Sequence, residues 1–310
     1  TGKGAKAFLN RVLAGRIPGP GRVNLTPMLL QSGKLNGDLT VACIDEETFY
    51  LFGSSVAQNM HLRWFEMHLE GVQDVVYQNM TDDFHGIAIS GPNSRELLSR
   101  LTREDVSSET FKFRDIRDTF IGGVPALCTR ISFTGELGYE IYVAPQYQLK
   151  LFEAIEELGV DLNLKWFGGR ALMSMRLEKS WGAWTMDFRP DFTIMESGLD
   201  FFVDWDKDFI GKKAALIEKN NGPSKKLSVI QIDTETDVSG DEAVMHNGEC
   251  VSYITSGGYG HSVKKSLAMT YLPVELIDSN VRLEVEILGK FYEASIVMEP
   301  LYDPSGSKMR

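Results

Sequence analysis

Beyond the polar stretch Lys219–Lys226, which holds Asn220-Asn221-Gly222-Pro223, the chain carries the two-residue periodicity of β-structure almost without interruption. The clearest segment is Val281–Val297, where Val281, Leu283, Val285 and Ile287 alternate with Arg282, Glu284 and Glu286. Successive strand residues point to opposite faces, so this pattern predicts a half-buried hairpin, with Gly289-Lys290 as its turn. The longer part of the chain before the linker is different. Helical spacings at Ala5–Ala14, Arg63–Leu69, Asn93–Leu101, Leu149–Leu158 and Gly169–Lys179 alternate irregularly with strand-like runs at Leu39–Ile44, Phe49–Phe52, Ile87–Ser90 and Val124–Val143. Gly15 and Gly159 stand in helix-stop positions, and Pro18-Gly19-Pro20-Gly21 forces a loop. No regular strand–helix–strand rhythm appears, so the pattern predicts an α+β chain rather than a doubly wound sheet. The expected division is a mixed domain over 1–222 and an all-β domain over 223–310.

Charge and apolar content remove several classes of function. The 43 Asp and Glu against 32 Lys and Arg give a formal net charge of −11. Nucleic-acid binding needs a basic face to replace condensed counterions, and this balance argues against it. No apolar run approaches the ~20 residues of a membrane span. The first residues, with Asn10 and Arg11 between Phe8-Leu9 and Val12-Leu13, do not read as a signal peptide. Cys43, Cys128 and Cys250 lie far apart in apolar, strand-like stretches, which predicts buried free thiols and a reducing compartment: cytoplasm, or mitochondrial matrix in a eukaryote. The start at Thr1 rather than Met suggests a mature, trimmed or excerpted chain.

Most motif-like strings carry no chemistry. Gly2-Lys3-Gly4-Ala5-Lys6-Ala7 fits a loose dinucleotide pattern but lacks a preceding strand and an acid ~20 residues on. The five histidines, His61, His68, His85, His246 and His261, show no metal-ligand spacing and read as core or surface residues. Ser256-Gly257-Gly258-Tyr259-Gly260-His261-Ser262 reads as a glycine-rich loop whose tight turn faces a site from the side. Trp181, Trp184 and Phe188 read as core, and Arg176, Glu178 and Lys179 as a solvated helix face.

Two carboxylates have a setting suited to chemistry. Asp38 follows Gly37 at the entry to the run Leu39–Ile44, where it can face a cavity while the strand stays buried. In Glu136–Val143, residues Leu137, Tyr139, Ile141 and Val143 share one face, and Glu136, Gly138, Glu140 and Tyr142 the other. Glycine within a strand often marks close approach by a ligand, so Gly138 would clear space beside Glu140. Pattern alone leaves open a turn residue at 38 and a solvent-facing strand at 140.

Longer strings carry a resemblance. GKLNGDLTVACIDEETFYLFGSS, ISFTGELGYEIYV, GGRALMSMRLEKSWGAWTMDFRPDFTIMESGLDFFV, DFIGKKAAL, TSGGYGHSVKKSLAMTYLP and LEVEILGKFYEASIVMEPLYDPSG run along nearly the whole chain. Together they resemble the glycine cleavage T-protein, or aminomethyltransferase, family, and more closely the folate-binding domains of dimethylglycine and sarcosine dehydrogenases. The resemblance implies an α+β cloverleaf of three subdomains around a central folate channel, with a C-terminal β-barrel as one leaf. It implies that a first strand–helix segment of the family precedes the position of Thr1.

By the same resemblance, Asp38 falls on the family's catalytic aspartate near folate N10, and Glu140 on the glutamate that holds the pterin edge. Ser54 falls on a pterin- or aminobenzoyl-side contact. Phe133 replaces the family's tyrosine, keeping a ring but losing a hydroxyl, and Ile194 stands where proline is usual. Arg170 sits in the dehydrogenase-type register, offset from the arginine that meets the folate carboxylate. The implied activity is transfer of a one-carbon unit from an N-methylated glycine to tetrahydrofolate, giving 5,10-methylenetetrahydrofolate. FAD would belong only to a fused or associated dehydrogenase domain. A folate-dependent demethylase acting on a sulfonium or betaine donor, and a non-catalytic folate-binding regulatory module, are the alternatives. The family's iron–sulfur-assembly branch carries a cysteine motif that DFIGKKAAL lacks.

Overall fold

The computed structural model describes residues 1–278 and 280–310. Its first leaf begins with α1 (Ala5–Val12), whose Phe8, Leu9 and Val12 are buried, followed by the antiparallel strands β1 (Arg22–Leu29), β2 (Leu35–Cys43) and β3 (Phe49–Phe52) and by α2 (Gln58–Leu69). Leu39 and Val41 of β2 pack with Phe8, Leu9, Met28 and Phe65, so α1 and α2 share a core with the sheet. The predicted α1 ends two residues early: Leu13 is already extended, although its N–H still reaches the Leu9 carbonyl. β1 is hidden in the sequence because the short alternation Val23–Thr26 runs into Pro27 and the unbroken apolar Met28-Leu29-Leu30. Pro27 is tolerated there; its carbonyl accepts from Ala14 N–H at 2.8 Å, outside the ladder.

The second leaf contains β4 (His85–Ser90), α3 (Ser94–Leu101), β5 (Ile116–Ile121), β6 (Val124–Thr129), β7 (Gly138–Val143) and α4 (Gln148–Gly159), with strand order β4-β7-β6-β5. Tyr139, Ile141 and Val143 of β7 are buried with Leu97, Leu98, Leu151 and Ile155, as the alternation predicts. Each such side chain contributes about 1.5–3 kcal/mol by leaving water. α4 ends at Gly159, but not through a left-handed glycine, since Gly159 keeps a right-handed backbone (φ −95°). The chain continues through a 3₁₀ turn, Val160–Leu162, and Asn163 takes the left-handed conformation (φ 56°) that ends it.

Next come α5 (Gly169–Glu178) and, after a compact irregular stretch, α6 (Lys212–Asn221). The expected linker is therefore short: the helix runs to Asn221 and the next strand starts at Lys225. Six strands, β8 (Lys225–Ile232), β9 (Ala243–His246), β10 (Glu249–Gly260), β11 (Lys265–Pro273), β12 (Arg282–Ile287) and β13 (Lys290–Val297), close into a barrel in the order β10-β11-β8-β13-β12-β9. Closure leaves the barrel no free edge. The predicted β12–β13 hairpin forms, but Ile287 pairs with Lys290, so the turn is Leu288-Gly289, both at positive φ. The architecture is the α+β arrangement with a terminal barrel that the strings imply. No helix among the described residues is long and apolar enough to cross a membrane.

Three local expectations are corrected. Most of the glycine-rich run is strand, not loop, because Ser256–Gly260 belongs to β10. Its glycines admit α5: a Cβ at Gly260 would lie 2.9 Å from Glu178 Cγ, and Ser174 Oγ donates to the Tyr259 carbonyl. Arg176 and Glu178 are not solvated either. Arg176 is 1% exposed and Glu178 2%, and Glu178 accepts from the main-chain N–H groups of Ser262 and Val263 in the turn after β10. The helix is thus packed against β10 and β11 of the barrel, a tertiary fact no helical period encodes. Cys43 and Cys128 are buried as expected, but Cys250 is exposed at the start of β10.

Candidate functional site

Alternation along β2 places Asn36, Asp38, Thr40 and Ala42 on the face opposite the Leu39–Val41 core. Phe52 and Tyr50 of β3 lie across from Thr40 and Ala42 and extend that face. On β7, Glu140 and Tyr142 lie opposite the buried Tyr139 and Ile141. The two faces meet. Phe52 stacks on Tyr142 with ring centroids 4.5 Å apart, and Val23, Ala42, Ile116, Tyr50 and Phe52 form a common cluster. Asp38 and Glu140 therefore sit on facing sides of two sheets joined by one aromatic stack.

Asp38 is not at the mouth of its strand, as its sequence setting suggests; it is the fourth residue of β2, opposite Pro27. Burial pushes its carboxyl up to about 7, and the hydrogen bond from its own backbone N–H offsets part of that rise. At neutral pH such a group can both take and give a proton. Burial also raises the Glu140 carboxyl, while the Tyr142 hydroxyl, donating to Oε2 at 2.5 Å, favours the charged form. Oε1 has no protein donor among the described residues and remains able to accept from a ligand. Gly138 does not clear room for a ligand as expected: a Cβ there would lie 2.9 Å from both Ser132 Cβ and Ser90 Oγ. The glycine lets the 130–137 bends fold over the strand end.

A cavity of about 500 Å³ runs along β3, lined among others by Tyr50, Phe52, Ser54, Gln58, His61 and Tyr142. Among the described residues no Asp, Glu, Lys or Arg side chain lines it, and neither Asp38 nor Glu140 does. Ser54 borders it at the start of the 3₁₀ turn Ser55–Ala57. Phe133 is half-buried in the bends between β6 and β7, outside the lining. Arg170 is exposed on α5, its guanidinium 2.8 Å from Asp237, and does not line the cavity. No cluster of metal-binding side chains occurs among the described residues.

Sequence reasoning missed Tyr142 and the aromatic wall of Tyr50 and Phe52. The signal for Tyr142 was present: it shares the Glu140 face two residues on, where a hydroxyl can reach a carboxylate. The Phe52 contact joins two sheets and leaves no trace in local pattern.

Comparison with known proteins bears on the whole chain. The family model described as the GCVT N-terminal domain matches residues 1–207, and that described as the glycine cleavage T-protein C-terminal barrel domain matches 225–303. The chain is 36% identical over 304 residues to mitochondrial dimethylglycine dehydrogenase of Homo sapiens, covering 97% of this chain and 35% of that protein. It thus spans about a third of that relative. It is 30% identical over 290 residues to an aminomethyltransferase of Thermoanaerobacter sp. (strain X514), covering 93% of this chain and 78% of that one. The crystal structure of the glycine cleavage system aminomethyltransferase T from Bartonella henselae superposes with a TM-score of 0.87 at 23% identity, over 98% of this chain and 82% of that one, a likeness of fold. With both domain models matched in order and a fold of the same kind, the chain belongs to the glycine cleavage T-protein, or aminomethyltransferase, family.

Proposed function

We propose that this protein transfers a one-carbon unit, originating in an N-methylated glycine such as dimethylglycine or sarcosine, to tetrahydrofolate, yielding 5,10-methylenetetrahydrofolate. Tetrahydrofolate supplies the nucleophilic amines that accept the unit. The observation that carries the reading is the pair of half-buried carboxylates, Asp38 and Glu140, on the facing sides of two aromatic-walled sheets. Glu140 presents one free acceptor oxygen from an enclosed position, which suits the N–H donors of a pterin edge. Asp38, poised near neutrality, suits proton exchange at a folate amine. The rings of Tyr50, Phe52 and Tyr142 give the adjoining cavity an apolar wall, which suits protection of a reactive one-carbon donor from hydrolysis. Likeness to part of dimethylglycine dehydrogenase supports a methylated glycine as the source, with FAD chemistry on a fused or associated domain.

The test is calorimetric titration with tetrahydrofolate, followed by single-turnover formation of the product with formaldehyde as surrogate donor. One saturable site and a rate above the uncatalysed condensation are expected; absence of folate binding would overturn the reading. Glu140→Gln should weaken folate binding by about 1–3 kcal/mol, because the amide sets a donor against a donor. Since burial raises the Glu140 carboxyl and the ionised form is the acceptor, binding to the wild type should fade on acidification at a higher pH than for an exposed glutamate. Unchanged affinity for Glu140→Gln would remove this residue from the site.

A further inference from the structure

β3 pairs with β2 only across Thr40–Cys43, so the Leu35–Leu39 half of β2 has no strand on that edge. There the chain leaves the sheet at Gly53, and the imidazole of His61, reaching in from α2, occupies the space. A Cβ at Gly37 would lie 2.7 Å from His61 Nε2, and one at Gly53 3.3 Å from Nδ1. The ring is pressed between two backbones that come this close only because both residues are glycine. His61 is 6% exposed, its Nε2 has no hydrogen-bond partner, and its ring meets that of Trp184 at 6.0 Å between centroids. Its neighbour across Gly37 is Asp38.

We propose that His61 is a positioning residue for Asp38: as an uncharged ring it replaces the missing strand beside Gly37, fixes the backbone that carries the carboxylate, and keeps water from that edge. Burial holds the imidazole below the ordinary histidine range, with the Asn36 backbone opposing in part, so the ring is neutral where Asp38 titrates. No charged side chain of β1, β3 or α2 shifts Asp38; burial and its own N–H do so. His61 meets β2 on the Gly37 face, opposite that of the carboxylate, so it acts on Asp38 through the backbone: where that backbone is held sets how far the carboxyl is buried, and hence its proton affinity. The kinetic consequence rests on the catalytic reading of Asp38, whereas the titration does not.

Isotope-edited infrared titration of the Asp38 carboxyl, with Asp38→Asn as the blank, reads the effect directly, and folate-dependent kcat and KM are measured alongside. In His61→Ala the midpoint should fall by about one pH unit or more, toward the ordinary aspartate value of about 4. Its kcat should drop by roughly tenfold or more, with KM for folate changed by less than about twofold. His61→Gln, uncharged and of similar reach, should keep both near wild type. Should His61→Ala fail to fold, His61→Asn, shorter and uncharged, takes its place with the same expected fall. An unmoved midpoint in the shortened variant overturns the proposal. Equal kcat losses in His61→Gln and His61→Ala overturn it as well, by pointing to proton transfer through the imidazole. A midpoint that falls while kcat holds would leave the positioning intact and remove Asp38 from catalysis.

Discussion

Asp38→Asn is expected to slow formation of methylenetetrahydrofolate by roughly 10²–10⁴-fold while folate affinity stays near that of the wild type. An amide fills the same place on β2 but cannot accept a proton or stabilise a cation developing on a folate amine. The wild-type rate should rise with pH through about 7, the value to which burial lifts this carboxyl, and the variant should lose that limb. Stability gives an independent check with a defined sign. The folded form binds the proton more tightly than the unfolded chain, whose carboxyl titrates near 3.8. Folding is thus favoured below that value, and the benefit is lost as pH rises toward about 7. Above pH 7, then, Asp38→Asn should be more stable than the wild type, by on the order of 2 kcal/mol, since it carries no buried charge. Single-turnover kinetics and urea unfolding at pH 5 and pH 8 test both halves. Wild-type rates in a folded variant would return Asp38 to a structural role.

The second large effect concerns the seam between α5 and the barrel. Arg176 donates through Nη1 to Asp187 Oδ2 at 2.6 Å and to the Trp181 carbonyl at 2.9 Å, and through Nη2 to Ser256 Oγ at 2.7 Å. Asp187 also accepts from Thr255, from Ser256 and from Ala183 N–H. Arg and Asp are 1% and 0% exposed, so neither can recruit water if the other is removed. Arg176→Met should therefore cost about 3–5 kcal/mol, the weight of an uncompensated buried charge. That corresponds to a fall in Tm on the order of 10 °C. Replacing both, as Arg176→Met with Asp187→Leu, should cost less than the sum of the single changes, although Ser256, Thr255 and Ala183 N–H lose partners. Thermal and urea unfolding of the three variants measure this. A loss below about 1 kcal/mol in Arg176→Met would give the pair only the weight of a surface contact.

The contrast between these two sites shows what local pattern can and cannot carry. Glu140 was legible because β7 alternates, and alternation alone sorts Tyr139 and Ile141 into the core and leaves Glu140 and Tyr142 on the other face. Asp38 was legible as a candidate through its string, but its place inside β2 was not, because Leu35, Asn36 and Gly37 do not look like strand. They become strand by pairing with β1, which itself was invisible. Arg176 was misread for the same reason in reverse: a charged helix face looks solvated until another element covers it. The stack of Phe52 on Tyr142 and the ring of His61 between two glycines join residues 90 and 24 or 8 positions apart. Such meetings are set by how elements pack, which local periodicity does not record.

The barrel's strand order has a topological consequence. Its first and last strands, β8 and β13, are antiparallel neighbours, with Val229 opposite Val297. The chain therefore enters and leaves the barrel at the same end, on neighbouring strands, with the entry at Lys225 four residues, or roughly 13 Å, beyond the level of Val297. Everything between is a closed detour. Hairpins on its far side can lengthen, shorten or change sequence without shifting the point at which the chain returns, so the barrel can diverge while the two sheets that hold Asp38 and Glu140 keep their relation.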